Sequence, residues 1–244
     1  MNLTRVTFTG ADDNTDPQAL VDLSAKYPFI EWGILISKTS AGKPRYPSFQ
    51  WLDELSVFNR IHQINLSCHL CGRWLRDILT TEDRYDFDQN FGPYLHIFKR
   101  MQLNTHGEKI SYDKFNLVAY LFNLYKVFIV QMDGVNEKLL NDLISFDISA
   151  VPLHDLSSGA GQLPSAWRKP IDDMACTGYA GGLGPQNLLE ELNRMKDVVQ
   201  DKFIWIDMET HVRSNDDKSF DLDKVIECCE IAKPYIYPNM IQGR

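Results

Sequence analysis

Short runs of consecutive apolar residues alternate along the chain with longer stretches whose apolar positions recur at helical spacing. That is the pattern of strands buried on both faces between amphipathic helices. Residues 5–9 (Arg-Val-Thr-Phe-Thr) are β-branched and aromatic and stop at Gly10, which predicts a first strand. Asp12, Asp13 and Asp16 crowd the next loop, and Asp16 before Pro17 predicts an N-cap and first helical position for a helix over 17–26. A near-continuous apolar strand follows over 29–36, then a loop over 37–48 carrying Lys38, Lys43 and Arg45, then a helix over 49–59. A third strand over 65–71 ends at Gly72-Arg73 before a short helix. Residues 80–92 are polar, acidic and aromatic (Tyr85, Phe87, Phe91) and read as an insertion: a lid, a subunit contact, or a segment packed on its own domain.

The fourth strand, over 99–103, ends at Asn104-Thr105-His106-Gly107. A helix over 112–125 comes next, with Phe115, Leu117, Val118, Leu121, Phe122 and Leu124 as its expected buried face. A strand over 127–132 stops at Asp133-Gly134 and leads to a helix over 137–144. The sixth strand, over 150–153, ends at His154-Asp155 ahead of a glycine-rich loop over 157–162. An eighth strand over 203–208 and a helix over 221–232 complete the pattern.

Between these lies the stretch Gly178-Tyr179-Ala180-Gly181-Gly182-Leu183-Gly184-Pro185-Gln186-Asn187, entered from Met174-Ala175-Cys176 and running into the helical Leu188-Leu189-Glu190-Glu191-Leu192. It reads as a seventh strand turning directly into a helix. Bare backbone N–H groups at such a turn have no intrahelical partner, and the helix dipole favours negative charge there, so the turn predicts a phosphate cradle. A tight glycine turn holding no ligand has the same ten residues. Eight strands alternating with helices in 244 residues predict one domain, 1–244, folded as a (β/α)8 TIM barrel of the phosphate-binding type. A doubly wound open sheet is the competing architecture.

In a barrel the chemistry sits at the C-terminal strand ends, and polar residues gather there. They include Asp12, Asp13, Lys38, Arg45, His69, Arg73, Asn104, His106, Asp133, His154, Asp155, Asp207, Glu209, His211 and Arg213. The net charge of -8 argues against an unspecific nucleic-acid binder. Five cysteines, odd in number and scattered, do not suggest a disulfide framework. The start of the chain lacks a signal pattern and no apolar run approaches a membrane span, so the expected compartment is the cytoplasm, with no membrane partner. Cys68-His69-Leu70-Cys71 has C-x-x-C spacing, but residues three apart on a strand face opposite ways. His106, His154, Asp155, Asp207 and His211 could ring a metal, yet they lack H-x-H or H-E-x-x-H spacing, so no metal or other cofactor is expected.

Several motifs together resemble phosphoribosylanthranilate isomerase of tryptophan biosynthesis. They are Phe8-Thr9-Gly10 with Asp16-Pro17-Gln18-Ala19-Leu20, Lys43-Pro44-Arg45-Tyr46, Gln102-Leu103-Asn104-Thr105-His106-Gly107, and Asp155 before Ser158-Gly159-Ala160-Gly161. The most specific is Ala180 to Asn187, which meets the family's Ala-Gly-Gly-Leu-x-Pro-x-Asn turn without a gap. The resemblance implies a phosphate-binding barrel and an Amadori rearrangement of an aminoaldose phosphate to an aminoketose phosphate. It implies Asp155 as general acid, Arg45 as the clamp on a substrate carboxylate, and Gly181 and Gly182 in the phosphate site. The family's general-base cysteine is Thr9 here, and a hydroxyl has no useful basicity near neutral pH. Its Asp-Val-Ser-Ser-Gly-Val-Glu turn is Asp207-Met208-Glu209-Thr210-His211-Val212-Arg213, so His211 and Arg213 are candidates to hold the anion by side chains. Asp12, Asp13, His69, Cys71 and His154 are candidates for the missing base, a histidine being the natural one, and Thr9, His69 and His106 are candidates for substrate contacts. Two functions follow as expectations: isomerisation or related proton transfer on a phosphorylated sugar or sugar-conjugate, or binding of a phosphorylated metabolite or nucleotide without turnover. Either suits a monomer or homodimer whose partner is a phosphorylated small molecule.

Overall fold

A computed structural model describes residues 1–80, 84–105, 109, 111–155, 161–172 and 174–238. Its strands are β1 (Asn2–Thr9), β2 (Ile30–Ile36), β3 (Leu66–Leu70), β4 (Arg100–Leu103), β5 (Val127–Gln131), β6 (Ala150–His154), β7 (Thr177–Ala180) and β8 (Phe203–Met208). They pair in parallel in chain order, and β8 returns to β1 in a register running from Asn2↔Phe203 to Phe8↔Met208. That last pairing closes the sheet, so the fold is the (β/α)8 barrel and the open doubly wound sheet is excluded. Every residue of β2 is buried, as a strand between the barrel interior and the helical ring must be.

The helices are α1 (Pro17–Lys26), α2 (Phe49–His62), α3 (Gly72–Thr80), α4 (Arg84–Asn90), α5 (Lys114–Phe122), α6 (Glu137–Ile144), α7 (Leu188–Val199) and α8 (Leu222–Ala232). Carboxylates and hydroxyls begin several of them. Asp16 accepts from Gln18 N, Ser48 from Trp51 N, and Asp221 from the amides of Asp223 and Lys224. Between β6 and β7 the described residues form no helix. There Trp167 fills the space, edge-on to Tyr179 with centroids 5.8 Å apart, its indole N–H donating to Glu191 at 2.7 Å.

One expectation needs correcting. Helix α5 buries Leu117 and Leu121, whereas Phe115 and Phe122 are 72% and 56% exposed. Two residues turn a helix by about 200°, so Phe115 lies opposite Leu117, and apolarity alone misplaced the buried face. Of the three readings of the 80–92 segment, its described residues fit packing on its own domain. Phe87 and Phe91 are fully buried, with ring centroids 5.8 and 6.0 Å from that of Trp74, and Tyr85 alone of its aromatics faces solvent. Among the described residues no helix is long and apolar enough to cross a membrane.

Alternate residues of each strand point into the barrel. At its lower end Glu31 takes Arg5 at 3.1 Å, Arg100 at 2.9 Å and the Thr7 hydroxyl at 2.9 Å. Arg100 Nη2 is at ion-pair distance but not aligned as a hydrogen bond, and its guanidinium lies 4.3 Å from the Trp205 ring. Ile129, Leu153, Ala180 and Trp205 form an apolar plug. Above that plug the interior turns polar again, and the site begins.

Candidate functional site

The next inward positions bring Thr9, His69 and Asp207 together. The Thr9 hydroxyl donates to Asp207 Oδ1 at 2.8 Å and lies 3.5 Å from His69 Nδ1. Gly33 makes room for this group, because a Cβ there would stand 2.1 Å from Thr9 Oγ1 and 2.8 Å from His69 Cε1. Burial pushes the His69 pKa down to about 3, so its ring is neutral, and Nε2 is buried without a partner. Burial pushes the Asp207 carboxyl up to about 8 against the Thr9 hydrogen bond, and the charges of Glu209 and Asp155 add to the rise. Asp207 therefore keeps its proton at neutral pH.

Above this group opens a small mouth pocket of about 50 Å³, continuous with solvent. Gln102, Asn104 and Gln131 line it with carboxamides, and Asp155, Asp207 and Glu209 with carboxyl groups. Gln131 donates to Asp155 at 3.2 Å, Gln102 to Asn104 at 2.6 Å, and Asn104 to Cys71 Sγ at 3.1 Å. Burial drives the Cys71 thiol up to about 12, which leaves it no thiolate character at neutral pH.

Gly181, Gly182 and Leu183 form one wall. The Asn187 side chain folds back on this turn, accepting from Gly184 N at 3.0 Å and donating to Gly182 O at 2.8 Å. Thus Gly184 is capped by the protein itself, whereas the amides of Gly181, Gly182 and Leu183 meet no acceptor among the described residues. Gly182 has φ +65°, and a Cβ there would lie 2.6 Å from Leu163 N, so only glycine fits the turn. A short 3-10 helix, Thr210–Val212, follows β8 and lies against this turn, a Cβ on Gly184 standing 2.4 Å from His211 Cβ. Its His211 lines the mouth, with its Nε2–H donating to Gly161 O at 3.1 Å.

The remaining expected residues stand elsewhere. Arg213 is 1% exposed and donates to Asp12 at 3.1 Å, Asp217 at 2.7 Å and the Gly10 carbonyl. Asp12 also accepts from Arg45 N at 2.8 Å. This buried pair ties the β1–α1 loop to the segment after β8, and neither residue lines the mouth. His154 falls on the outer face of β6, because its neighbours Leu153 and Asp155 take the inward positions. Its Nε2 meets Lys169 O at 3.2 Å and its ring lies 5.4 Å from Tyr179. Thr9 and His69 sit beneath the mouth, and His106 lies outside the described residues.

Arg45 also departs from expectation. Its guanidinium meets Glu209 at 2.5 Å and Asp217 at 3.0 Å, so two protein carboxylates already hold the group expected to clamp a substrate carboxylate. The pairing answers a problem visible in the sequence: Glu209 would otherwise add an unbalanced charge to the mouth. Gln102 and Gln131 line the mouth although sequence reasoning gave them no role, and Asp207, weighed there only as part of a metal ring, lines it beside them. Their signal was an inward parity shared with the expected residues on β4, β5 and β8.

No protein-family model matches the chain, and no curated protein matches it in sequence. Solved structures resemble it in fold. A monomeric form of phosphoribosylanthranilate isomerase from Thermotoga maritima is similar over 95% of this chain and 100% of its own, with TM-score 0.55 and 15% identity. A truncated 3-deoxy-D-arabino-heptulosonate 7-phosphate synthase from the same organism matches 96% of this chain and 86% of its own, with TM-score 0.55 and 10% identity. The aldolase described as DAHP synthase, also from Thermotoga maritima, has TM-score 0.56 and 9% identity over 96% of this chain and 68% of its own. At these identities the likeness is one of fold, and the chain shares the (β/α)8 barrel with these enzymes.

Proposed function

We propose that the barrel binds a phosphorylated sugar or sugar-conjugate at its C-terminal mouth, as a divergent relative of phosphoribosylanthranilate isomerase, and catalyses aldose–ketose isomerisation or a related proton transfer. The observation that carries the reading is the row of amides at Gly181, Gly182 and Leu183 in the pocket wall, which meet no acceptor among the described residues. Barrels commonly bind phosphate there, between the loops after the seventh and eighth strands and a short extra helix. Main-chain donors suit this mouth, because no Lys or Arg lines it among the described residues. Its carboxyl groups leave room for an anion: Asp207 is protonated, and Glu209 is paired with Arg45.

Proton transfer falls to Asp155 and Asp207. The resemblance assigned the acid to Asp155, but Asp207 is the group that holds a proton to give, and the Asp155 charge helps hold it there. Asp155 then serves as acceptor. Purified protein should interconvert a phosphorylated aldose and ketose. Asp155→Asn and Asp207→Asn should each lower kcat by about 100-fold or more, the usual worth of a positioned acid or base, while ligand affinity holds. Turnover surviving both changes would overturn the proton-transfer assignment; equal loss of affinity would make the carboxyls structural.

One observation favours the second reading, binding without turnover. The position of the family's basic thiol is Thr9, whose hydroxyl is engaged with Asp207, and the nearby Cys71 thiol stays protonated. On that reading phosphorylated ligands bind, no isomerisation occurs, and Thr9→Cys is tolerated.

A further inference from the structure

We infer that the mouth selects a phosphorylated sugar or polyol that carries no carboxylate, its remaining polar atoms being uncharged hydroxyls. The inference rests on the phosphate-binding reading above and deepens it. Arg45 is the cation expected to receive a carboxylate, and its guanidinium is held between Glu209 and Asp217 at 2.5 and 3.0 Å. Its backbone is fixed as well, by the bond from Arg45 N to Asp12 at 2.8 Å and by φ +75°, an uncommon conformation for a side-chain-bearing residue. No lysine or arginine lines the mouth among the described residues, and Asp155 and Glu209 do. With Glu209 already paired to Arg45, a second anionic group on the ligand would therefore meet the Asp155 carboxylate and, among the described residues, no lysine or arginine lining the mouth to pair with it, a repulsive element that rejects one class of ligand.

The other lining groups suit hydroxyls. Gln102, Asn104 and Gln131 come from adjoining strands and present carboxamides, which both donate and accept without charge. The protonated Asp207 carboxyl adds a donor beside them. The division is one of region: main-chain amides at the β7–α7 turn for the phosphate, and neutral side chains on β4, β5 and β8 for the rest of the molecule.

Calorimetric titration of the whole chain with ribose 5-phosphate, 6-phosphogluconate and inorganic phosphate tests this. Ribose 5-phosphate should bind about tenfold or more tighter than either of the others, a difference titration resolves readily. Glu209→Gln removes a mouth carboxylate and releases one side of Arg45, and should narrow the gap to 6-phosphogluconate by about tenfold. Its thermal midpoint is measured alongside to establish that it folds. If 6-phosphogluconate binds the unaltered chain as tightly as ribose 5-phosphate, the exclusion is overturned while the phosphate site stands. If none of the three binds, the phosphate reading fails and the inference falls with it. A folded Glu209→Gln protein that keeps the full gap would also overturn it, because Glu209 and the Arg45 it holds would then not set the preference.

Discussion

Asp207 and His69 carry opposite consequences of one burial. The folded chain holds the Asp207 proton up to about pH 8, whereas an ordinary aspartate loses it at 3.8. The folded state thus binds more protons than the unfolded one across that interval, and stability falls as pH rises through it. His69 runs the other way: lowered from 6.5 to about 3, it contributes stability above 6.5 that is lost as pH falls toward 3. Asp207→Asn should therefore raise the urea midpoint at pH 8 relative to pH 5. His69→Gln should remove part of the loss on the acid side. Denaturant titrations across pH check both, and a pH-independent effect of Asp207→Asn would mean that its carboxyl is ionised in the fold. Arg213 ties the β1–α1 loop to the segment after β8 through Asp12 and the Gly10 carbonyl. Arg213→Ala leaves Asp12 buried without its partner and should cost about 3 kcal/mol, measured by denaturant unfolding.

At the scale of elements, the β7–α7 turn and the 80–92 segment divide function from packing. Gly182→Ala forces a Cβ against Leu163 N in a left-handed backbone. It should cost about 1–3 kcal/mol, the range of such strain, and abolish phosphate-ester binding. Phe87→Ala should cost about 3–5 kcal/mol as a buried aromatic and leave binding unchanged, while Tyr85→Ala should stay within about 0.5 kcal/mol. Strands and caps were legible in the sequence because each is written locally: apolar runs ending at Gly10, Gly72 or Gly134, and Asp16 ahead of Pro17. The Gly181-Gly182 turn was legible for the same reason. Arg45 and the Asp12–Arg213 pair were not, since Arg45 meets Glu209 and Asp217, and Asp12 meets Arg213, from the far end of the chain, and no local pattern records an ion pair closed by the barrel. The outward turn of His154 was within reach of strand parity, once Asp155 was taken as inward.

Closure of the barrel sets both the site and its support. The β8–β1 pairing brings Asp207 to Thr9 and Glu209 toward the β2 loop that carries Arg45. Beneath them, Glu31 draws together β1, β2 and β4 through Arg5, Thr7 and Arg100. Burial opposes the Glu31 charge, and Arg100 and Arg5 outweigh it, holding the pKa below its ordinary 4.5. Its contribution is thus present above pH 4.5 and lost as pH falls below it. Glu31→Gln should cost about 3 kcal/mol at pH 7 by leaving Arg100 buried without a counter-charge, and progressively less at low pH. The central claim is that main-chain amides of the seventh turn hold an anion, and amide resonances report it directly. Inorganic phosphate titrated into nitrogen-15-labelled protein should move the Gly181, Gly182 and Leu183 signals together and saturably. Signals that stay fixed there, or shifts confined to other parts of the molecule, would contradict it.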